Sequence, residues 1–165
     1  MSAPYQHKQT GWVMIFVFGT SVIAMLGLTG FLAFELRALV ALVPAAVMLL
    51  MLGFAAFFSS MTVEIKGSDI IWYFGPRLWK NTLSLSVIGA AAPIRTKWYW
   101  GYGIKYFGPN RWLYTVSGLD AVELTLKGGG WLRIGTDDAE GFLRALGEHG
   151  LQTNRQSHRA DCANG

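Results

Sequence analysis

Catalysis needs titratable or nucleophilic groups that converge, and in these 165 residues such groups are sparse. The histidines are His7, His149 and His158, two in polar end segments and one at the close of an amphipathic stretch. Their scatter spells neither a catalytic triad nor a metal set. Cys162 is the single cysteine, so no internal disulfide and no cysteine-based metal cluster is expected. Asp137 and Asp138 resemble a paired carboxylate, but they open a helical pattern, where acids satisfy free N–H groups and the helix dipole. With Glu140 three residues after it, Asp137 reads as the start of a capping box. Gly128-Gly129-Gly130 lacks the helix and Lys that follow a phosphate-cradling loop, and it reads as a hairpin turn. The reading is therefore non-enzymatic, with no catalytic residue, cofactor or metal ligand assigned.

The one stretch of unusual chemistry is 94–107. Trp98, Tyr99, Trp100, Tyr102, Tyr106 and Phe107 are interleaved there with Arg95, Lys97 and Lys105. Rings with cations match a membrane interface, where ring bodies sit among headgroups and cations meet anionic lipid. Arg77, Trp79 and Lys80 extend the same composition. The competing reading is that these rings are core of a small β domain. The net charge of +4 with only 15% charged residues, and no dense basic run, speaks against nucleic acid as a partner.

These residues have to be positioned by two very different parts of the chain. Residues 12–34 carry no charge, and at about 1.5 Å per residue they span the ~30 Å hydrocarbon core of a bilayer. Residues 38–58 form a second such run, separated from the first by Phe34-Glu35-Leu36-Arg37. A single continuous helix would place Glu35 and Arg37 at mid-bilayer, so a transmembrane hairpin over 11–58 is expected. Pro44 should kink its second helix locally. Gly19, Thr20, Ala24, Gly27, Ala41, Ala45 and Gly53 are small residues at spacings that let two helices close on each other. The first run is too long for a signal-peptide core. Lys8, Lys66, Arg77 and Lys80 flank the spans on one side against Arg37 on the other, which puts both termini in the cytoplasm. Residues 1–10 read as a polar surface tail with a solvated His7, and 151–165 as a disordered tail.

After Phe58 the apolar period changes to two, giving seven short strands at 61–66, 70–74, 83–87, 104–107, 111–117, 121–127 and 131–134. Phe142, Leu143 and Leu146 then form the stripe of one closing helix. The order suits a small orthogonal sandwich or partly open barrel over 59–150, all antiparallel. With that order, the preceding hairpin, and the strings Trp100-Gly101-Tyr102-Gly103-Ile104-Lys105 and Arg133-Ile134-Gly135-Thr136-Asp137-Asp138, the chain resembles bacterial membrane-anchored PH-like domain proteins of uncharacterised function. The resemblance covers roughly 11–150. Phosphoinositide-binding PH domains carry several basic residues between their first two strands, whereas here that loop is Lys66-Gly67-Ser68-Asp69.

The resemblance implies a multi-pass protein of the bacterial plasma (inner) membrane. It implies a PH-like domain that engages a protein partner or the anionic lipid surface, for which the ring-and-cation composition nominates Arg95, Lys97, Trp98, Trp100, Tyr102, Lys105, Arg77 and Lys80, and the Lys and Arg bias expects that domain on the cytoplasmic side. The alternative is a small accessory subunit packed through its hairpin against a larger membrane complex. Partner identity and oligomeric state stay open.

Overall fold

The computed structural model describes residues 5–35, 38–77 and 79–153, with the side chains of Glu35, Ala38 and Trp98 outside that description. Leu36 and Arg37 in the expected connection, and His158 and Cys162 in the expected tail, also lie outside the described residues. Two long apolar helices, α1 (Trp12–Glu35) and α2 (Ala38–Phe58), pack against each other as an antiparallel pair. Each is apolar around its whole circumference, and large side chains such as Trp12, Phe16, Ile23, Leu39 and Val43 stay exposed. The hydroxyls of Thr20, Ser21 and Thr29 turn back onto carbonyls of their own helix, so no side-chain donor is spent on an external partner. α2 runs through Pro44, which is buried with Ala41 on the inner face. Of the small residues expected to close the hairpin, Ala41 is buried on the inner face, whereas the glycines are not in the contact. A Cβ added at Gly19, Gly27 or Gly53 would meet nothing within 4 Å.

The alternating segments build two sheets. In the first, β1 (Tyr5–Thr10), β2 (Ser60–Lys66), β3 (Asp69–Phe74) and β4 (Trp79–Ser84) lie in sequence order, all antiparallel. The second holds β5 (Ile88–Arg95), β6 (Gly103–Tyr106), β7 (Arg111–Thr115), β8 (Asp120–Leu126), β9 (Trp131–Gly135) and β10 (Gln152–Thr153) in the order β10-β5-β8-β9-β7-β6. Helix α3 (Ala139–Glu148) closes the domain by burying Phe142, Leu143, Ala145 and Leu146. The core lies between the sheets: Met61, Val63 and Ile65 of β2 and Ile70, Trp72 and Phe74 of β3 face Tyr114, Val122, Leu124 and Ile134. Because strand residues alternate faces, these sets follow directly from the period-two pattern.

Several expectations are corrected here. Residues 5–10 are not a tail but the strand β1, whose whole length pairs with β2, from Tyr5 opposite Ile65 to Thr10 opposite Ser60. Ten strands are present among the described residues rather than seven, and two pairings, β7 with β9 and β10 with β5, are parallel. Residues 83–87 are split between the end of β4 and a 3-10 turn at Leu85–Val87. The cap of α3 is Asp138, which accepts from the Gly141 N–H at 3.0 Å, so the Asp137 and Glu140 box does not form. Residues 152–153, expected in the disordered tail, form β10.

The hairpin joins the domain without a linker. Gly11 alone separates β1 from α1, and its N–H donates to the Ser59 carbonyl at 2.7 Å. Gly75, at φ +48°, donates to Ser60 O at 2.8 Å. A Cβ at Gly75 would stand 2.7 Å from the carbonyl oxygens of Ala56 and Phe57, so only glycine lets the β3 turn sit against the end of α2. Topologically, α1 and α2 are therefore the loop of a β-hairpin. Since Thr10 and Ser60 are direct partners, replacing 11–59 by Asn-Gly supplies a two-residue turn of the right register. The shortened chain is expected to be soluble and to melt cooperatively. Its midpoint should be lower because Phe57 and Phe58, partly buried against the core, are lost at less than the roughly 1.5–3 kcal/mol of a fully buried ring each. Aggregation, or a non-cooperative melt in circular dichroism, refutes the view that the sheet carries its own fold.

Candidate binding surface

The basic and aromatic segment is the connection between β5 and β6, held by one buried threonine. Both the N–H and the hydroxyl of Thr96 donate to the Leu119 carbonyl, at 2.6 and 2.8 Å. Leu119 belongs to the β7–β8 loop, which is tied to β1 in turn: Gln9 Nε2 donates to Ser117 O at 2.9 Å, and the Ser117 hydroxyl donates to Thr10 O at 3.0 Å. This chain of bonds sets the segment at the end of the domain from which α1 and α2 leave. A 3-10 turn over Trp98–Trp100, with the Trp100 N–H on Lys97 O, then reverses the chain.

The sequence-selected residues separate into three groups. Arg95 and Lys97 are exposed at the hairpin end, with the Lys97 ammonium 5.7 Å from the centre of the exposed Tyr99 ring. Arg77 and Lys80 are also exposed and near that end, on the turn after β3 and the start of β4. Trp100 behaves differently, folding back along the outer face of the six-stranded sheet to meet Phe107 at 5.2 Å. There the Arg133 guanidinium lies 5.1 Å from the Trp100 ring centre and 3.9 Å from that of Trp131, while its Nε donates to Glu123 at 2.7 Å. Leu113, in register with Lys105 and Arg133 on that face, has no exposure at all although it lies outside the main core. Trp100 and the half-buried Lys105 therefore belong to a second, smaller packed layer. Tyr102 is half-buried between Gly101 and Gly103, and the Trp98 side chain lies outside the described residues. The packing reading holds for Trp100, whereas the Tyr99 ring stays exposed.

Two polar clusters escaped sequence reasoning, because both are assembled across strands and each includes a residue of β1. Glu64 is only 3% exposed, yet its Oε1 accepts from Gln6 at 3.0 Å, the Tyr73 hydroxyl at 2.7 Å and Arg77 at 2.9 Å, while Lys66 meets Oε2 at 2.8 Å. The Lys66 hydrogen bond leads in holding the carboxyl down to about 2, against the upward push of burial and with help from Tyr73 and Arg77. Arg77 also lies 5.0 Å over the Tyr73 ring, so this residue is committed to the domain as much as to any ligand. On the opposite face of β1, His7 contacts the Asp137 carboxylate instead of being solvated. The Tyr5 hydroxyl donates to Asp138 at 3.2 Å and its ring stacks on Phe142 at 5.6 Å. Burial first, and the Asp138 charge second, raise the Tyr5 hydroxyl well above its ordinary pKa. Asp137, Asp138, Asp120, Glu140 and Arg144 border a shallow cavity of about 540 Å³ beside α3. No group of three or more His, Cys, Asp or Glu that could hold a metal occurs among the described residues.

No protein-family model, no curated protein and no solved structure matches the chain.

A carboxyl whose pKa is lowered by folding stabilises the native state above its unfolded value, near 4.5, and that contribution fades as pH falls toward 2. Lys66 and Arg77 are more than half exposed, so screening leaves an effect on the order of 1 kcal/mol. Thermal melts of the full chain in detergent should show Glu64→Gln less stable than the parent at pH 7, with the gap closing between pH 5 and pH 2. A gap that does not change with pH means the cluster stabilises by shape alone.

Proposed function

We propose that the protein is a non-enzymatic, membrane-anchored binding module. In this reading α1 and α2 cross a bilayer, and the β domain, PH-like in layout, rests its hairpin end on anionic headgroups. The observation that carries it is the linkage Thr96–Leu119–Ser117–Thr10, which holds Arg95, Lys97 and Tyr99 at the point where both apolar helices leave the domain. Two helices apolar all round, with their large side chains exposed, support a lipid environment. Two packed sheets closed by a C-terminal helix support the PH-like layout, from which the parallel β7–β9 pair departs. A plasma-membrane location with cytoplasmic termini is supported by Lys8, Lys66, Arg77 and Lys80 beside the spans, against Arg37 between them. A second reading, an accessory subunit of a larger membrane complex, draws on the open space beside Gly19, Gly27 and Gly53, where a further helix can approach closely.

Each cation close to an anionic surface contributes about 1 kcal/mol, so Arg95 and Lys97 together give roughly 2 kcal/mol of contact. In lipid nanodiscs, backbone amides of residues 96–102 should exchange with deuterium more slowly in anionic than in neutral lipid. The double change Arg95→Gln and Lys97→Gln should abolish the difference, as should salt well above 0.1 M. Equal exchange in both lipids rejects surface contact; a 1–58 fragment that retains large membrane proteins in mild detergent then favours the accessory reading. Topology is checked separately. A reporter active only in the cytoplasm, fused after Gly165, should give signal, and an externally active one should stay dark.

A further inference from the structure

Besides the hairpin-end surface, the domain has a cleft at its open side, where the edge strand β4 stands away from the six-stranded sheet. The cleft holds about 230 Å³. Trp72, Asn81 and Leu83 line it on one side, and Trp112, Tyr114 and Trp131 on the other. Trp72 and Asn81 are cross-strand partners, so their side chains are neighbours on one face. Trp72 is only 4% exposed, and neither its indole Nε1 nor the Asn81 amide nitrogen has a hydrogen-bond partner. A buried donor left without an acceptor is destabilising, and indole can act only as a donor. Two such donors side by side, in a cleft walled by aromatic rings, amount to an unfilled receptor for an oxygen.

We propose that this cleft binds a small, neutral, planar molecule through a carbonyl oxygen, whose two lone pairs accept from Trp72 Nε1 and Asn81 Nδ2. The rings of Trp112 and Tyr114 offer faces and edges to a flat conjugated body, while Trp131 borders the cleft with its ring held by Arg133 on the outer face. Charge decides the class of ligand. None of the described lining residues is Lys, Arg, Asp or Glu, so a carboxylate would lose its hydration with no countercharge, whereas an amide or ketone would not. The volume lies below the usual range for drug-sized ligands, which sets the occupant at roughly ten non-hydrogen atoms. Occupancy would also couple the edge strand β4 to β7 and β9, which face each other across the opening.

Benzamide is a suitable probe, with toluene as the match lacking an acceptor and benzoate as the charged match. The full chain in lipid nanodiscs, labelled with ¹⁵N at its indoles, is titrated with each, and the Trp72 signal is assigned by its loss in Trp72→Phe. Benzamide should move that indole proton downfield and saturate. Toluene should not, and benzoate should bind several-fold more weakly. Asn81→Leu, which leaves the main core untouched, should weaken benzamide by about fivefold to tenfold, with the other indole signals serving as its control for folding. Three results would each overturn the proposal. One is a Trp72 proton already downfield in the free protein and unmoved by benzamide, which means that the Asn81 oxygen holds it. Another is equal shifts of every indole with toluene and benzamide, which means partition into lipid. The last is tighter binding of benzoate, which excludes a neutral ligand.

Discussion

The ladder between β1 and β2 is the constraint on which the rest of the structure depends. It is made by residues on opposite sides of the apolar hairpin, with Thr10 beside Ser60 at its near end and Tyr5 beside Ile65 at its far end. Once those six pairs are set, the directions in which α1 and α2 leave are set too, because Gly11 and Ser59 give the chain no slack. The same strand supplies Tyr5 and His7 to the start of α3, Gln6 to Glu64, and Gln9 to the β7–β8 loop. A polar strand thus links both sheets, the closing helix and the hairpin. An isolated strand of this composition would have no reason to form; it is stable because its whole length pairs with β2 and its inward residues Tyr5, His7 and Gln9 meet partners.

A second kind of continuity is aromatic. From Tyr106 the rings pass through Trp112 at 4.8 Å and Tyr114 at 6.2 Å to Trp72 and Phe74. Phe74 meets Phe57 and Phe58, and Phe58 leads through Phe54 to Phe18 inside the hairpin. Packed rings of this size are close to incompressible, and they form a continuous aromatic layer from the far edge of the domain to the ends of the helices. Glycine at 75 makes the join possible by admitting the carbonyls at the end of α2 against the turn after β3.

How much of this was legible depended on whether a residue's partners were local. The two apolar helices announce themselves by composition, β2 by alternation, because burial of one face imposes that period on the sequence itself, and β3, β8 and β9 as short apolar-rich segments between turn residues. β1 was not legible: Tyr-Gln-His-Lys-Gln-Thr has no apolar alternation, and its stability comes from residues more than fifty positions later. β5 was missed for a related reason, since Gly89 to Ala92 are small and its position between β8 and β10 does the specifying; β10 covers only Ala90 and Ala91. The cap of α3 slipped by one residue because Asp137 is drawn to His7, a contact that the helix pattern alone does not contain. At the candidate surface, Arg95 and Lys97 are exposed, while Trp100 in the 3-10 turn is packed against Arg133 of β9. Composition identifies rings and cations, but only long-range pairing decides which of them turn inward.

The placement of β1 also imposes an order of assembly. It is synthesised before β2, and this partner strand follows only after two helices, with Thr10 and Ser60 fifty positions apart. Closing a flexible loop of that length costs about 3 kcal/mol in chain entropy, enough to make the ladder a poor starting point for folding. When α1 and α2 pair first, their ends bring Gly11 and Ser59 together and most of that cost has already been met. β1 is thus a strand in waiting, polar enough not to associate with other edges, which acquires its neighbour when the chain returns from its apolar excursion.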